Sequence, residues 1–156
     1  MSNHSAYRIF VDRLSKTEDS VREKSTKKRK NLGLRTAKEN LDDLVDPGSF
    51  LEFGAFAVAA QRNRRDYEEL QLETSADGIL TGFCNINEDE VGEDNSHAAA
   101  IIYDYSVLAG SQGFFHHQKL DRICEKAEEF SLPVVIFTEG GGGRPGDTDV
   151  TTQIAG

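Results

Sequence analysis

The residues best suited to chemistry lie in one stretch, Leu132–Asp149, which reads LPVVIFTEGGGGRPGDTD. The apolar run Leu132–Phe137 is short, rich in β-branched residues and bounded by breakers, so it predicts a buried strand. Four consecutive glycines, Gly140–Gly143, follow almost directly. Successive glycines cost conformational entropy, and they suit a backbone that must approach something closely. The stretch therefore predicts a glycine corner at the carboxyl edge of a sheet, with backbone N–H groups free to point at a ligand.

The same stretch has a partial match to a phosphate-binding loop. Gly141–Thr148 fits the pattern G-x-x-x-x-G-K-[ST] except at the lysine, where Asp147 stands. A carboxylate at that point would repel the phosphates that the lysine holds. Arg144 offers a positive charge, but from a different point of the loop. The sequence therefore disfavours a nucleoside triphosphatase.

The composition describes one acidic globular domain. The chain has 156 residues and a formal net charge of −9, which argues against general nucleic-acid binding. No apolar run approaches the roughly 20 residues of a membrane span, and the N-terminus lacks the layout of a signal peptide. Cys84 and Cys124 form no C-x-x-C motif, so both are expected to be buried and reduced, as in a cytoplasmic protein.

The chain divides into a basic beginning and a longer main part. Residues 1–34 are predicted to form a basic N-terminal arm or helix, because Arg22–Lys30 is rich in lysine and arginine and has almost no apolar face. A short basic run of this kind is usually solvated, and it also suits an anionic ligand or partner. Residues 35–156 are assigned to the main domain.

The main domain begins with a clear helix signal. Thr36 and Glu39 have the spacing of a capping box, which satisfies two backbone N–H groups of the first helical turn. The helix should end at Asp46–Ser49, because the Pro-Gly pair in this segment is typical of a turn. The polar segment Gln61–Ala76 is expected to be a surface loop, with or without a helical turn.

The second half of the chain predicts two strands, a helix and a third strand. Ile79–Ile86 and His97–Tyr105 read as strands joined by an acidic connection, and Leu108–Gly113 is a second glycine turn. The following helix, Phe114–Phe130, has the i, i+3, i+4, i+7 spacing of a core face. The residues of that face are Leu120, Ile123, Cys124 and Ala127.

These elements predict an α/β fold in which the two glycine turns lie at the same edge of one sheet. Backbone N–H groups that converge on one point form an oxyanion hole, which stabilises negative charge developing on a carbonyl oxygen.

Five other side chains are of the types that serve in catalysis or metal binding. His117 and Asp121 share a helix face, but two ligands make no metal site, and surface or partly buried positions are expected for His116 and His117. Asp104 is expected to orient a backbone turn. Glu139 is the best candidate for acid–base chemistry, with a role in turn geometry as the alternative.

Four blocks, in this order, resemble the carboxyltransferase subunit of biotin-dependent acyl-CoA carboxylases, in the crotonase superfamily. They are RTAKENLDDLVDPGSFLEFGAF from Arg35, DGILTG (Asp77–Gly82), YDYSVLAGSQG (Tyr103–Gly113) and the stretch Leu132–Arg144. Ala109 departs from the usual pattern, and the corner carries an additional glycine. In this respect EGGGGRPGDTD is similar to a divergent branch that includes large single-chain acyl-CoA carboxylases.

The resemblance implies a crotonase-like spiral of sheet and helices and the transfer of a carboxyl group from carboxybiotin to the α-carbon of an acyl-CoA. It places the oxyanion donors in the backbone of Gly141 and Gly142, with Gly140 and Gly143 as alternatives of register. The acyl-CoA-binding residues would be Gly110, Ser111, Gly113, Gly140 and Gly143. Ser111 is also expected to cap the helix that begins near Phe114, whose N-terminus favours a phosphate.

The resemblance further implies biotin on a separate carrier, partners that carry the biotin carboxylase and carrier functions, and a homo-oligomer. The family's domain continues beyond the glycine corner, so the chain is expected to be part of the N-terminal half and inactive alone. Two alternatives stay open: a crotonase-type hydratase or hydrolase that uses Glu139 as its base, and a non-catalytic piece that retains the fold.

Overall fold

The structure is a computed structural model in which residues 3–150 are described. A four-stranded sheet in the order β1-β2-β3-β4 forms its centre. The strands are β1 (Leu51–Glu52), β2 (Ile79–Asn85), β3 (His97–Tyr103) and β4 (Val134–Phe137). The last three confirm the strands predicted from the sequence, with slightly shorter ends, and the α/β class is confirmed.

Seven α-helices lie in the described part of the chain, and two 3₁₀ turns accompany them, at Ser75–Gly78 and Leu108–Gly110. The helices are α1 (Asn3–Ser15), α2 (Glu23–Asn31), α3 (Ala37–Leu44), α4 (Tyr67–Glu73), α5 (Glu88–Val91), α6 (Glu93–Ser96) and α7 (Phe114–Glu129). Between residues 3 and 150, no helix combines the length and the apolar character needed to cross a membrane.

The sheet is mixed. β1 pairs with β2 and β2 with β3 in antiparallel fashion, whereas β3 and β4 are parallel. Parallel neighbours need a crossover connection, and α7 supplies it. The carboxyl ends of β3 and β4 therefore lie side by side, and the two glycine segments leave the sheet from this shared edge.

Both faces of β2 and β3 are covered. On one face, Leu80, Ala100 and Ile102 pack against Ala37 and Leu41 of α3. On the other face, Ile79, Ala99 and Ile101 pack against Ile123 and Ala127 of α7. Alternate residues of each strand thus serve opposite faces, as the pleat of a strand requires.

Helix α7 has a narrower apolar face than predicted. Ile123 and Ala127 are buried as expected, and Leu120 is half-buried against the same cluster. Cys124 is exposed, which corrects both its place on the core face and the expectation of two buried cysteines. Lys119 lies outside the predicted core face, yet it is buried, because its Nζ reaches backbone carbonyls beneath the helix.

Strand β4 is not the buried strand that its composition suggests. Val134, Ile136 and Phe137 are all exposed. β4 lies at the edge of the sheet, and only β3 pairs with it among residues 3–150. An apolar β-branched run therefore predicted the strand correctly but not its burial.

The helix and turn signals at the start of the main domain are confirmed. The Thr36 side chain accepts from the backbone N–H of Glu39, and the Glu39 side chain accepts from that of Thr36. Asp46 closes the following turn by accepting from the N–H of Ser49, and Gly48 adopts a φ of +79° there.

The basic N-terminal segment packs against the domain and is not an exposed arm. The Arg22 and Arg29 side chains are almost fully buried. Arg22 donates to Asp104, and Arg13 of α1 donates to the carbonyl oxygen of Phe56. Arg22 and Arg29 are paired with the carboxylates of Asp104 and Glu139, which allows a segment with few apolar residues to pack. A domain boundary between residues 34 and 35 stays a prediction.

Residues 61–76 are also more ordered than the surface loop expected. They contain α4, whose Leu70 is fully buried against Val58 and Ala59. Asp66 caps this helix by accepting from the backbone N–H of Glu68. Leu70 is the one buried apolar residue of α4, so the segment has no helical spacing of apolar residues that would predict this helix.

Candidate functional site

The two glycine turns meet at the carboxyl ends of β3 and β4, as predicted. The N–H of Gln112 donates to the carbonyl oxygen of Gly142 over 2.8 Å, and the N–H of Arg144 donates to that of Gln112 over 2.8 Å. Gly110 lies so close to the second turn that an added Cβ would overlap the carbonyl oxygen of Glu139. The contact therefore requires a residue without a side chain at Gly110, whose φ is +65°.

The glycine corner presents unused backbone donors. Among residues 3–150, the N–H groups of Gly141 and Gly142 donate no hydrogen bond, and both glycines are exposed. The bond from Gln112 pins the peptide between Gly142 and Gly143, and Gly142 has a φ of +85°. The corner is thus a bend that the bond from Gln112 holds in place, and its N–H groups are free for a ligand.

A buried group of charges lies beneath the corner. Arg144 Nη1 donates to Asp77 Oδ1 over 2.5 Å and lies 3.5 Å from Asp147 Oδ1. Arg144 Nη2 donates to the carbonyl oxygen of Ser111, and Nε donates to its Oγ. Burial raises the pKa of the Asp77 carboxyl, and the Arg144 guanidinium opposes that rise.

The two acidic partners of Arg144 also bind the start of α7. Asp147 Oδ2 accepts from the backbone N–H of Phe114, and Asp77 Oδ2 accepts from that of His116. The first-turn N–H groups of a helix need such acceptors. Two carboxylates already complement this helix N-terminus, so a phosphate there would meet like charges.

Glu139 lies between β4 and the glycines and is paired with Arg29. Its two carboxylate oxygens accept from the two terminal nitrogens of Arg29, over 2.9 and 2.8 Å. Arg29 also donates to the carbonyl oxygen of Arg35, and it lies over the Tyr105 ring at 5.7 Å. The pair joins α2 to the glycine corner.

A cleft opens beside this pair. Its volume is about 570 Å³, within the usual range of small-molecule sites. The lining residues include Lys28, Arg29, Leu34, Tyr105, Ala109 and Glu139. The cleft therefore combines two cations and an aromatic ring, and it is bounded by residues of both glycine turns.

Comparisons with known proteins agree with this geometry. No protein-family profile matches the chain. The biotin-dependent long-chain acyl-coenzyme A carboxylase β4 subunit of Mycobacterium tuberculosis is 31% identical over 144 residues, which are 92% of this chain and 24% of the relative. A single-chain, multi-domain long-chain acyl-CoA carboxylase matches with a TM-score of 0.87 and 47% identity, over 94% of this chain and 15% of that one.

The chain is homologous to part of the acyl-CoA carboxylase carboxyltransferases. A structure of transcarboxylase 12S with methylmalonyl-coenzyme A bound matches as well, with a TM-score of 0.74 and 26% identity, over 94% of this chain and 27% of that chain. The crotonase-like fold expected from the resemblance is confirmed. This carboxyltransferase homologue spans only 15–27% of the length of these three relatives.

The structure places the remaining predicted residues of the carboxyltransferase homologue as follows. Gly140 packs on Gly110, whereas nothing lies within 4 Å of a Cβ added at Gly143. Gly113 is buried against the guanidinium of Arg144. Ser111 does not cap α7, whose N-cap residue is Gly113; its hydroxyl donates to the carbonyl oxygen of Leu108. The assignment of these residues to acyl-CoA stays a prediction.

Two further interpretations are settled by the contacts. Asp104 accepts from the N–H and the hydroxyl of Ser106, which confirms its role in orienting a turn. His116 is fully buried, which corrects the surface or partly buried position expected for it. No metal-binding cluster of histidine, cysteine and acidic residues occurs within the described part of the chain.

Sequence reasoning missed the charges beneath the corner. The sequence marks Asp77 only as part of the DGILTG block and Arg144 only as a positive charge in the glycine loop. The contact between them spans 67 residues, and no local pattern records it. One usable signal was Asp147, because an acid where a phosphate-binding loop needs a lysine indicates a different role for the whole segment.

Proposed function

We propose that the glycine corner binds the thioester oxygen of an acyl-CoA while a carboxyl group is transferred to its α-carbon. The observation that carries this proposal is the pair of unused N–H groups at Gly141 and Gly142, held in a fixed bend. Removal of an α-proton places negative charge on the thioester oxygen. Backbone donors that are already oriented stabilise that charge without reorganising.

The neighbouring cleft is the proposed entrance for the coenzyme A part of the substrate. Lys28 supplies positive charge for phosphates, since the charge of Arg29 is already paired with Glu139, and Tyr105 supplies a ring against which a base can stack. The chain as a whole is acidic, so a lysine at the cleft is informative about its ligand. Gly110, Ser111, Gly113, Gly140 and Gly143 form the adjoining turns.

Biotin would supply the carboxyl group, as the name of the mycobacterial relative implies for that protein. The residues present allow its approach, because nothing lies within 4 Å of a Cβ added at Gly142 or Gly143. We assign no residue of this chain to biotin itself. The proposed partners are a biotin carrier and a biotin carboxylase component, and a homo-oligomer is proposed because the transcarboxylase 12S core is a hexamer.

A cytoplasmic location is part of the same proposal. Cys84 and Cys124 are both free thiols, as is usual in a reducing compartment.

The alternative of a hydratase is less well supported. A general base must reach a proton with a free carboxylate, whereas both oxygens of Glu139 accept from Arg29. The geometry therefore favours a structural role for Glu139 over proton transfer.

The experiment compares glycine variants in the complete protein that the gene encodes. Gly141→Pro removes one donor, whereas Gly141→Ala keeps it, and a Cβ there meets only the carbonyl oxygen of Ala109 at 3.4 Å. Loss of one oxyanion donor costs about 10²–10³ in rate. We therefore expect kcat for carboxyl transfer to fall by that factor in the proline variant alone, with near-normal affinity for acyl-CoA.

Glu139→Gln completes the experiment. The carboxyltransferase proposal expects a mild effect, whereas a hydratase would lose most of its activity. A severe loss in Glu139→Gln beside a near-normal Gly141→Pro enzyme contradicts the proposal. Gly142 is less suitable for proline, because its φ of +85° is far from the value that proline imposes.

A further inference from the structure

We propose that Arg144 is a positioning residue that sets the direction of the Gly141 and Gly142 N–H groups, with Asp77 and Asp147 as its supports. This inference rests on the proposed function, because it concerns the same donors. Arg144 does not touch the proposed substrate: it is 6% exposed and lies beneath the corner. Its effect on the reaction would pass through the backbone.

Arg144 holds the two glycine turns together from both its backbone and its side chain. The backbone N–H donates to the carbonyl oxygen of Gln112. The guanidinium donates to the carbonyl oxygen and to the Oγ of Ser111. In the same segment, the backbone N–H of Gln112 donates to the carbonyl oxygen of Gly142. Any tilt of the Ser111–Gln112 peptide would therefore move the peptides of the corner.

The guanidinium is itself fixed by two acids. Asp77 accepts from Nη1, and Asp147 lies 3.5 Å from the same nitrogen. A planar guanidinium can serve several acceptors in a fixed arrangement, which the point charge of a lysine cannot reproduce. A lysine in place of Arg144 would still supply the positive charge that Asp77 needs, but Ser111 would lose its hydrogen-bond donor.

The chain accepts local strain to bring Asp77 to this place. Ala76 and Asp77 have φ values of +54° and +50°, and Gly78 follows at +77°. Residues with side chains rarely adopt this conformation, and such strain persists only where the surroundings impose it. Lys119 braces the turn by donating from Nζ to the carbonyl oxygens of Ala76 and Ile79.

Gly113 lies on the other side of the Arg144 guanidinium, and the space there leaves no room for a side chain. A Cβ added there would overlap Arg144 Nη1 and a carboxylate oxygen of Asp147. Its φ is −96°, which any residue can adopt. The glycine is therefore required by the close approach of Arg144 and not by its own backbone conformation.

The first test measures backbone order in the 156-residue chain. Arg144→Lys keeps the positive charge and loses the planar guanidinium with its several N–H donors. Arg122→Lys, on the exposed face of α7, is the matched control. We expect amide hydrogen exchange at Gln112 and Arg144 to accelerate about tenfold or more and the amide NMR shifts of Gly141–Gly143 to change, with the amide of Ile123 in α7 unaffected. Unchanged corner amides in a folded Arg144→Lys chain would overturn the inference.

The second test separates positioning from stability in the complete protein. A small misplacement of catalytic groups can cost about 100-fold in rate. We expect Arg144→Lys and Asp77→Asn to lower kcat for carboxyl transfer by at least about tenfold, with KM for propionyl-CoA within about twofold of the original protein. Methylguanidine should restore part of the kcat of Arg144→Ala.

The outcomes distinguish this inference from the proposed function. A complete protein that binds neither propionyl-CoA nor a long-chain acyl-CoA, and transfers a carboxyl group to neither, would overturn the proposed function, and the amide measurements would still decide the role of Arg144. A loss of activity that matches the fraction of unfolded protein, with no rescue by methylguanidine, would show that Arg144 is only structural.

Discussion

The rings of Tyr103 and His116 meet edge to face, with centroids 4.6 Å apart and planes at 85°. His116 is fully buried, and its Nδ1 lies 3.2 Å from the carbonyl oxygen of Asp77. Its Nε2 has no hydrogen-bond partner among residues 3–150. Burial lowers the pKa of the imidazole to about 4, with the nearby charge of Arg144 acting in the same direction.

The burial of the neutral His116 imidazole predicts that the protein loses stability at acid pH. Between the ordinary pKa of 6.5 and the folded value of about 4, the unfolded chain binds a proton that the folded chain excludes. The free energy of unfolding therefore falls as pH falls through this window, by up to about 3 kcal/mol for this group. Urea denaturation at several pH values measures the loss.

His116→Phe is the matched variant for that measurement. It keeps a ring beside Tyr103 and removes the titration. The difference in unfolding free energy between the original chain and His116→Phe should shrink or reverse from pH 7 to pH 4. Parallel pH profiles for the two chains would contradict the explanation, because other acid-sensitive groups affect both equally.

Asp147 should contribute to stability through the start of α7. It accepts from the N–H of Phe114 and from the side chain of Gln61, and it lies close to Arg144. Loss of a helix cap costs about 1 kcal/mol, and removal of a buried charge partner adds to that. We expect Asp147→Ala to lower the free energy of unfolding by at least about 2 kcal/mol in urea denaturation.

Asp121→Ala is the control for this variant, because Asp121 lies on the exposed face of the same helix. Its effect should stay within about 0.5 kcal/mol, as is usual for surface substitutions. Equal effects of the two variants would show that Asp147 has no special role at the helix start.

Much of the fold was predictable because its signals are local. The capping box at Thr36 and Glu39 and the spacing of Ile123 and Ala127 depend on residues within a turn or two of each other. The resemblance to carboxyltransferases added the order of the four sequence blocks and the role expected for the glycine corner. The exposure of β4 was not predictable in this way, because an apolar run records what a strand prefers and not what covers it.

The buried charges were not predictable for a related reason. Lys119 stands among charged residues of an amphipathic helix, and only the strained turn at Ala76 and Asp77 explains why it is inside. Burial lowers the pKa of Lys119 to about 8, while the acids Glu52 and Asp77 oppose that shift. A charge of this kind is specified by partners in other parts of the chain, so no periodicity marks it.

Gly110 provides a direct test of how closely the two turns must pack. Its φ is +65°, and an added Cβ would overlap the carbonyl oxygen of Glu139. Gly110→Ala should therefore separate the turns and lower the free energy of unfolding by more than the roughly 1 kcal/mol that an unfavourable φ alone costs.

Gly33→Ala isolates that backbone cost. Gly33, at the end of α2, has a φ of +68°, close to that of Gly110, but nothing lies within 4 Å of an added Cβ. The difference between the two variants in urea denaturation measures the steric part. If Gly33→Ala is as damaging as Gly110→Ala, the close approach of the turns contributes little.

The cleft beside Glu139 predicts a difference between two neighbouring lysines of α2. Lys28 lines the cleft, whereas Lys27 is exposed and lies outside its lining. If coenzyme A phosphates enter the cleft, Lys28 attracts them at short range and Lys27 acts only through solvent. An exposed charge pair is worth about 0.2–1 kcal/mol, so Lys28→Ala should weaken the binding of propionyl-CoA by about two- to fivefold. Lys27→Ala should change it by less than about twofold.

Calorimetric titration of propionyl-CoA at low and at high salt measures both variants, and the difference between them should shrink at high salt because the attraction is screened. Equal effects of the two variants would place the phosphates outside the cleft, even if the glycine corner binds the thioester as proposed.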